Sequence, residues 1–363
     1  MTLLVTACGA DNETSSGGTD STGGGDAPSA SAGLEGTLDG AGATSQEKAQ
    51  DAWKTTVQGF NGGKLTINYG LVGSTDGRSQ FIAGTTAFAG SDSYLKEDED
   101  ELAKAKERCG GTDPIEVPAY VSPIAIAFNL PGIDTLNLSP GVIADIFNNK
   151  ITTWNDPAIA ADNPDADLPD ADISPVHRAD DSGTTKNFTD YLGKAAPDNW
   201  PYEAEDAFPV SGGNSQAAQG TSGVIDLITG TENTIGYADE SQVGDLGKVS
   251  VGVGDAFVAP SAEAAAKTVA VSTRVEGRSD VDMATDVDRT TTEDGAYPVI
   301  LLSYLIACQQ YDDPADAKNV KGYLSYIVSD AGQKLAAEEA GSAPLTPEVA
   351  AEAQGIVDKI VVN

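Results

Sequence analysis

Three short stretches of this chain combine glycine with hydroxyl residues where an apolar run gives way to a helical pattern. They are Gly40-Ala41-Gly42-Ala43-Thr44-Ser45, Gly73-Ser74-Thr75 and Asp180-Asp181-Ser182-Gly183-Thr184-Thr185. A helix start exposes unpaired amides and a partial positive charge, glycine lets backbone approach closely, and hydroxyls add donors of short reach. Such turns suit a small anion. Each also reads as ordinary helix capping: Thr44 with Glu47 has capping-box spacing, and Ser182 or Thr184 could be an N-cap. The third turn carries more. Arg178 precedes it at the end of a β-type run, where its guanidinium fork matches a tetrahedral oxyanion, and Asp180 stands where it can hold that fork by an ion pair. His177, one residue earlier, falls on the opposite face of the strand and is read as structural.

These turns need strands before them and helices after them, and the pattern supplies both. A short strand before Gly40 leads to a helix over Gln46–Phe60, where Ala49, Ala52, Trp53, Val57 and Phe60 recur at helical spacing. A strand over Lys64–Leu71 leads to the second turn and a helix through Phe81 and Ile82, and another strand ends at Phe88-Ala89-Gly90-Ser91-Asp92. The alternation predicts an α/β fold with ligand turns at the carboxyl ends of strands. Glu116–Asn129 is long and apolar, but Pro118 and Pro123 argue against one uninterrupted central strand, so it reads as a crossover between lobes. Helices over Pro140–Phe147 and Pro157–Ala161 and a strand over Ile173–Arg178 follow. Tyr297–Ala307 is a second apolar run that returns the chain, and a closing helix spans Ala317–Ala340. One lobe is thus inserted in the sequence of the other. The expected divisions are 34–127 with 301–363 for lobe I and 128–300 for lobe II.

Composition limits the partners. The 363 residues carry 21 Lys and Arg against 56 Asp and Glu, a formal net charge of −35. Nucleic acid and anionic lipid need basic clusters and are excluded as partners. Long-range steering of an anion is excluded too, so an anion site here must be built from local dipoles and a placed arginine. With one His and three Cys a conventional zinc site is excluded, and no cofactor is expected. Leu3-Leu4-Val5-Thr6-Ala7-Cys8-Gly9 resembles the end of a bacterial lipobox, in which Cys8 is lipidated, although the basic and apolar stretches that precede such a site are missing. Residues 1–8 are therefore read as a truncated lipoprotein signal and 9–33 as a disordered Gly/Ser/Thr tether between membrane and fold. Cys109 and Cys308 remain, either as a disulfide of an exported protein or as two buried thiols.

The segments GAGAT (40–44), GSTDG (73–77), Gly90-Ser91-Asp92, KITTWNDPAI (150–159), RADDSGT (178–184) and Ile235-Gly236-Tyr237 stand in one order. In that order the chain resembles the phosphate-binding proteins of bacterial ABC importers, from about Leu34 to the C-terminal helix. The Lys-Ile-x-x-Trp-Asn and Arg-x-Asp-x-Ser-Gly-Thr blocks are its most specific parts. The resemblance implies a type II periplasmic-binding-protein fold, two α/β lobes joined by a two-crossover hinge, with phosphate between them. It implies hydroxyl donors from Thr44, Ser74, Ser182 and Thr184, amides from Ser45, Gly183 and Thr184, the guanidinium of Arg178, and Asp180 as its support. Ser45 departs from the family, which usually has an aromatic residue there, and Asp181 departs where a small residue is common. The implied partners are inorganic phosphate and permease subunits, with the membrane reached through the lipid on Cys8.

Within that set Asp92 decides the ligand. A carboxylate facing a dianion fits only if the ligand brings a proton, as hydrogen phosphate does and sulfate does not. The competing readings are a binding protein for sulfate, molybdate or phosphonate, and a phosphomonoesterase with Ser182 and His177 as nucleophile and base. The chain has no GxSxG elbow, P-loop or metal-ligand cluster to favour the enzyme.

Overall fold

The structure is a computed structural model that describes residues 29–97 and 99–362. Cys8 and most of the expected tether lie outside the described residues. Lobe I opens with β1 (Gly36–Gly42), α1 (Glu47–Phe60), β2 (Leu65–Leu71), α2 (Ser74–Ile82), β3 (Phe88–Ser91) and α3 (Glu101–Arg108). β1 pairs in parallel with β2 and β3, which brings the turns after β1, β2 and β3 to one edge of the sheet. The chain then leaves through β4 (Ile115–Asn129).

Lobe II contains β5 (Thr135–Leu138), α4 (Pro140–Phe147), α5 (Pro157–Asp162), β6 (Ser174–Arg178), α6 (Gly183–Ala195), β7 (Gln216–Ala218), α7 (Gly220–Gly230) and β8 (Thr234–Asp239). It continues through β9 (Gly247–Val253), β10 (Ala256–Val258), α8 (Ala262–Val271) and a small hairpin-like pair, β11 (Thr273–Arg274) and β12 (Thr285–Asp286). The chain returns along β13 (Ile300–Ala307). It closes with β14 (Gln310–Tyr311), α9 (Pro314–Val328), α10 (Asp330–Ala340), α11 (Pro347–Val357) and β15 (Val361–Val362).

The strand order β2-β1-β3-β13-β4-β8-β6-β7 runs through both lobes. Two strands carry the connection: β4 pairs with β13 over Ile115–Pro123 and with β8 over Ile124–Asn129. The prolines did not prevent a continuous strand of 15 residues. Pro118 pairs with Tyr304 beside a bulge, where the register shifts between Ser303 and Tyr304, and Pro123 stands where β4 exchanges one neighbour for another. Both fall at irregular ladder positions, where a missing N–H costs little.

Apolar packing divides along the same strands. One core gathers Leu38, Trp53, Phe81, Phe88, Val117, Tyr120, Leu305, Tyr323 and Ile327, and another gathers Val121, Ile126, Phe147, Trp154, Phe188, Tyr237 and Tyr304. The cores therefore change over between Tyr120 and Val121 on β4 and between Tyr304 and Leu305 on β13. A third, smaller cluster around Val176, Val224 and Ile228 lies under α7. Cys109 and Cys308 form a disulfide inside the first core. The single closing helix read over Ala317–Ala340 is two helices, because Ser329 stops α9 and caps α10, its Oγ accepting the Gly332 amide at 3.2 Å. No helix among the described residues is long and apolar enough to cross a membrane.

Candidate anion-binding site

The three hydroxyl turns, Arg178 and Asp92 meet at the junction of the lobes. From lobe I, β1 delivers Thr44 and Ser45, the β2–α2 turn delivers Ser74, and β3 delivers Asp92. From lobe II, β6 delivers Arg178 and Asp180, and α6 begins with Gly183 and Thr184 behind its N-cap Ser182. Gly73 has φ 90°, a left-handed conformation that a side chain resists, and this turns β2 into α2 so that Ser74 is the first helical residue.

Asp92 is the centre of the arrangement and is 4% exposed. Ser45 Oγ donates to both of its carboxylate oxygens, at 2.7 and 2.9 Å. Ser303 Oγ donates to Oδ1 at 2.7 Å, and Thr184 Oγ1 donates to Oδ2 at 3.2 Å from the other lobe. The Asp92 amide donates to Ser74 Oγ at 3.1 Å, and Asn187 Nδ2 donates to the Asp92 carbonyl at 2.6 Å. Burial pushes the Asp92 carboxyl above its ordinary range, opposed by the hydroxyls of Ser303, Ser45 and Thr184 and by the charge of Arg178. Three hydroxyls thus make four contacts to a group with about four acceptor positions, so a proton-bearing ligand takes the place of one of them, Ser45 being the donor shared between both oxygens.

Arg178 is 3% exposed and is gripped by Asp180, Nε donating to Oδ1 at 2.7 Å and Nη2 to Oδ2. Burial alone would raise the Asp180 carboxyl, but the Arg178 hydrogen bond and charge, with the Gly220 amide at 3.0 Å, hold it below its ordinary value. Tyr237 supports the turn: its hydroxyl accepts from the Arg178 amide at 3.3 Å and meets Thr185 Oγ1 at 2.7 Å.

Ser182 caps α6, its Oγ accepting the Thr185 amide at 3.3 Å. Thr184 does not cap; it faces Asp92. Thr44 forms no capping box with Glu47, because the residue preceding α1 is Gln46 and no side chain caps that end. Instead Thr44 Oγ1 lies 2.9 Å from Thr221 Oγ1 and accepts the Thr221 amide at 3.3 Å, across the lobe junction. Gly183 marks how close the lobes are: a Cβ there would lie 2.6 Å from Ser74 Oγ and 2.7 Å from Asp92 Cβ. Asp181 is exposed. His177 stacks on Phe208 at 4.4 Å with its Nδ1 2.9 Å from the Arg178 carbonyl, away from the Ser182 hydroxyl's capping bond.

Sequence reading missed Ser303 and Thr221. Ser303 sits in an entirely buried strand and reads as core filler, though a serine in so apolar a run is itself a signal. Gln46 Nε2 donates to the Ser303 hydroxyl at 2.5 Å, so this residue too was missed.

Two α/β lobes, joined by two strands and lined at their junction with convergent hydroxyls and one arginine, are the architecture of the periplasmic-binding-protein class. The sequence profile described as the PBP superfamily domain matches residues 27–331. The phosphate-binding protein PstS2 of Mycobacterium bovis (strain BCG / Pasteur 1173P2) is 33% identical over 99% of this chain and 95% of its own length. PstS3 of the same strain is 33% identical over 91% and 88%. Among solved structures, the phosphate-bound periplasmic phosphate-binding protein PfluDING superposes with a TM-score of 0.71 at 21% identity, covering 88% of this chain and 93% of that one. A phosphate-binding protein from Stenotrophomonas maltophilia gives 0.68 at 18% identity over 88% and 93%. The chain belongs to the PBP superfamily and, within it, to the family of the PstS proteins.

Proposed function

We propose that this chain binds inorganic phosphate between its lobes, outside the cytoplasm, and hands it to the permease subunits of an ABC importer without catalysing a reaction on it. The observation that carries the ligand assignment is Asp92, a buried carboxylate whose donors are neutral hydroxyls from Ser45, Ser303 and Thr184. Such a carboxylate accepts the proton of hydrogen phosphate and repels an oxyanion that has none. The PstS relatives are named for the same ligand.

In this reading Thr44, Ser74, Ser182 and Thr184 give hydroxyls, Ser45, Gly183 and Thr184 give amides, and Arg178, steadied by Asp180, gives its guanidinium. Residues 34–127 with 301–363 and residues 128–300 remain the proposed lobes, with the packing changing over inside the connecting strands at Tyr120/Val121 and Tyr304/Leu305. The ligand selects the closed form because only that form brings every donor to it. Cys8 carries the lipid that holds the protein at the outer face of the membrane; the peptide containing Cys8, taken from native envelopes, would show the acyl mass.

Calorimetric titration tests the ligand. Phosphate is expected to bind with sulfate failing to compete, and Asp92→Asn is expected to lose that discrimination against sulfate. Effective competition by sulfate in the unmodified protein would overturn the Asp92 argument. Hydrolysis of a generic phosphomonoester that disappears in Ser182→Ala would overturn the non-catalytic reading.

A further inference from the structure

Away from the anion site, a second polar cluster is buried across the lobe junction. Arg78, on α2 of lobe I, has a side chain with no exposure; its Nε donates to both oxygens of Glu101, at 3.1 and 3.0 Å, and its Nη1 to Ser91 Oγ at 3.1 Å. All of those partners belong to lobe I. Its remaining nitrogen, Nη2, reaches into lobe II and donates to Asp206 Oδ2 at 3.0 Å. Lys96, also of lobe I and with its side chain 6% exposed, places Nζ 2.9 Å from the same oxygen. Asp206 is itself 5% exposed at the side chain, so these ion pairs are shielded from solvent. Burial would raise its carboxyl, but the charges of Arg78 and Lys96, with a smaller contribution from Lys186 on α6 of its own lobe, outweigh this and hold it at about 2. The carboxylate is therefore charged throughout the physiological range.

The backbone of Asp206 makes the second connection. Its carbonyl accepts the Ser182 amide at 2.9 Å, fixing the N-cap of α6 from which Gly183 and Thr184 project. One residue thus holds the lobe II turn by its main chain and is gripped by two lobe I cations through its side chain. When the lobes part, Arg78 and Lys96 keep Glu101 and Glu99, whereas Asp206 loses both cations.

We propose that Asp206 is a positioning residue for ligand capture: an electrostatic clasp that draws the Ser182–Thr184 turn onto lobe I and slows reopening, without touching the ligand. Removing one member of a buried charge pair acts mainly on dissociation. Asp206→Asn keeps the side chain's shape and removes its charge. The expected result is a phosphate off-rate raised about tenfold or more, an on-rate changed little, and a larger radius of gyration by small-angle scattering in the absence of any ligand. Lys96→Met should give the same changes to a smaller degree, and the double variant should add little to Asp206→Asn alone.

Glu101→Gln separates the clasp from simple loosening. It disturbs the same cluster within lobe I only, and should lower the melting temperature while leaving the off-rate within about threefold. An unchanged off-rate and scattering profile in Asp206→Asn would overturn the proposal, as would an equal acceleration of release in Glu101→Gln. The off-rate arm rests on phosphate being the ligand. The scattering arm does not, so a failure of the ligand assignment and a failure of the clasp are distinguishable.

Discussion

Gly183→Ala tests the closeness of the lobes at a single methyl group. Gly183 is the first residue of α6 and its φ is not positive, so alanine is accommodated by the lobe II backbone. In the closed form the new Cβ would lie 2.6 Å from Ser74 Oγ, 2.7 Å from Asp92 Cβ and 3.0 Å from Ser74 Cβ. The Ser74 hydroxyl can rotate away, but Asp92 Cβ cannot move without its backbone. Ordinary carbon contact lies near 3.5–4.0 Å, so the lobes must stand about 1 Å further apart. That displacement stretches the hydrogen bonds from Thr184 to the Asp92 carboxylate and from Asn187 to the Asp92 carbonyl, now 3.2 and 2.6 Å, towards or beyond useful range. One bond to a charged group and one to a neutral carbonyl contribute roughly 3 kcal/mol together. The expected loss is about 10²-fold in phosphate affinity, read by calorimetry. Thermal unfolding without ligand should be unchanged or slightly improved, because alanine is the better helix former. A Kd within about threefold of the parent would refute the reasoning, since it would mean that capture does not require this contact.

Two further predictions concern the fold. Asp239 accepts from Tyr120 at 3.0 Å and from the Ser241 amide at 3.0 Å; burial, opposed by the hydroxyls of Ser241, Ser122 and Tyr120, raises its carboxyl to about 7. Because the folded state holds that proton more tightly than the unfolded chain, the stabilisation is complete below about pH 4 and lost as pH rises towards 7, roughly 4 kcal/mol in all. Asp239→Asn should flatten the stability profile over that window in urea titrations; a slope equal to the parent's would contradict the assignment. The Cys109–Cys308 bridge joins residues 199 apart in sequence, and loop entropy puts its contribution at roughly 5 kcal/mol as an upper figure. The Cys109→Ser/Cys308→Ser variant should melt well below the parent, and an equal melting temperature would show that the bridge adds nothing.

What the sequence made legible was local. The Gly-and-hydroxyl turns announce themselves because backbone approach and short donors need those residue types in adjacent positions. Arg178 and Asp180 are two residues apart, so their pairing was readable too. The omissions are all long-range. Ser303 reaches Asp92 across 211 positions, Thr221 reaches Thr44 across 177, and Asp206 reaches Arg78 across 128. None carries a local pattern that says what it faces. The capping reading of Thr44 failed for the same reason: a hydroxyl oxygen beside a helix start has two competing amide donors, and only the packed lobes decide between them. The prolines of β4 misled because the rule against proline in a strand assumes a regular ladder on both sides, and this strand changes partners at Pro123.

The remaining question is how a chain of net charge −35 holds an anion at all. Arg178 does not settle it, since Asp180 already neutralises that guanidinium, and Asp92 adds another carboxyl to the same cleft. The formal charges of these three side chains favour no anion. Attraction must then come from neutral dipoles: the amide ends of α2 and α6, and the hydroxyls of Ser74 and Ser182, whose oxygens accept backbone amides and whose protons are not spent on Asp92. Dipoles act at hydrogen-bond distance and fall away quickly, so they hold only a ligand around which both lobes have closed. The same shortage of positive charge makes a proton on the ligand valuable, because it converts Asp92 from a repelling group into an acceptor. Closure therefore sets affinity, and Asp92 sets selectivity. Weakening the approach of the lobes, whether at Gly183 or at Asp206, should lower affinity while leaving the preference for a protonated oxyanion with Asp92.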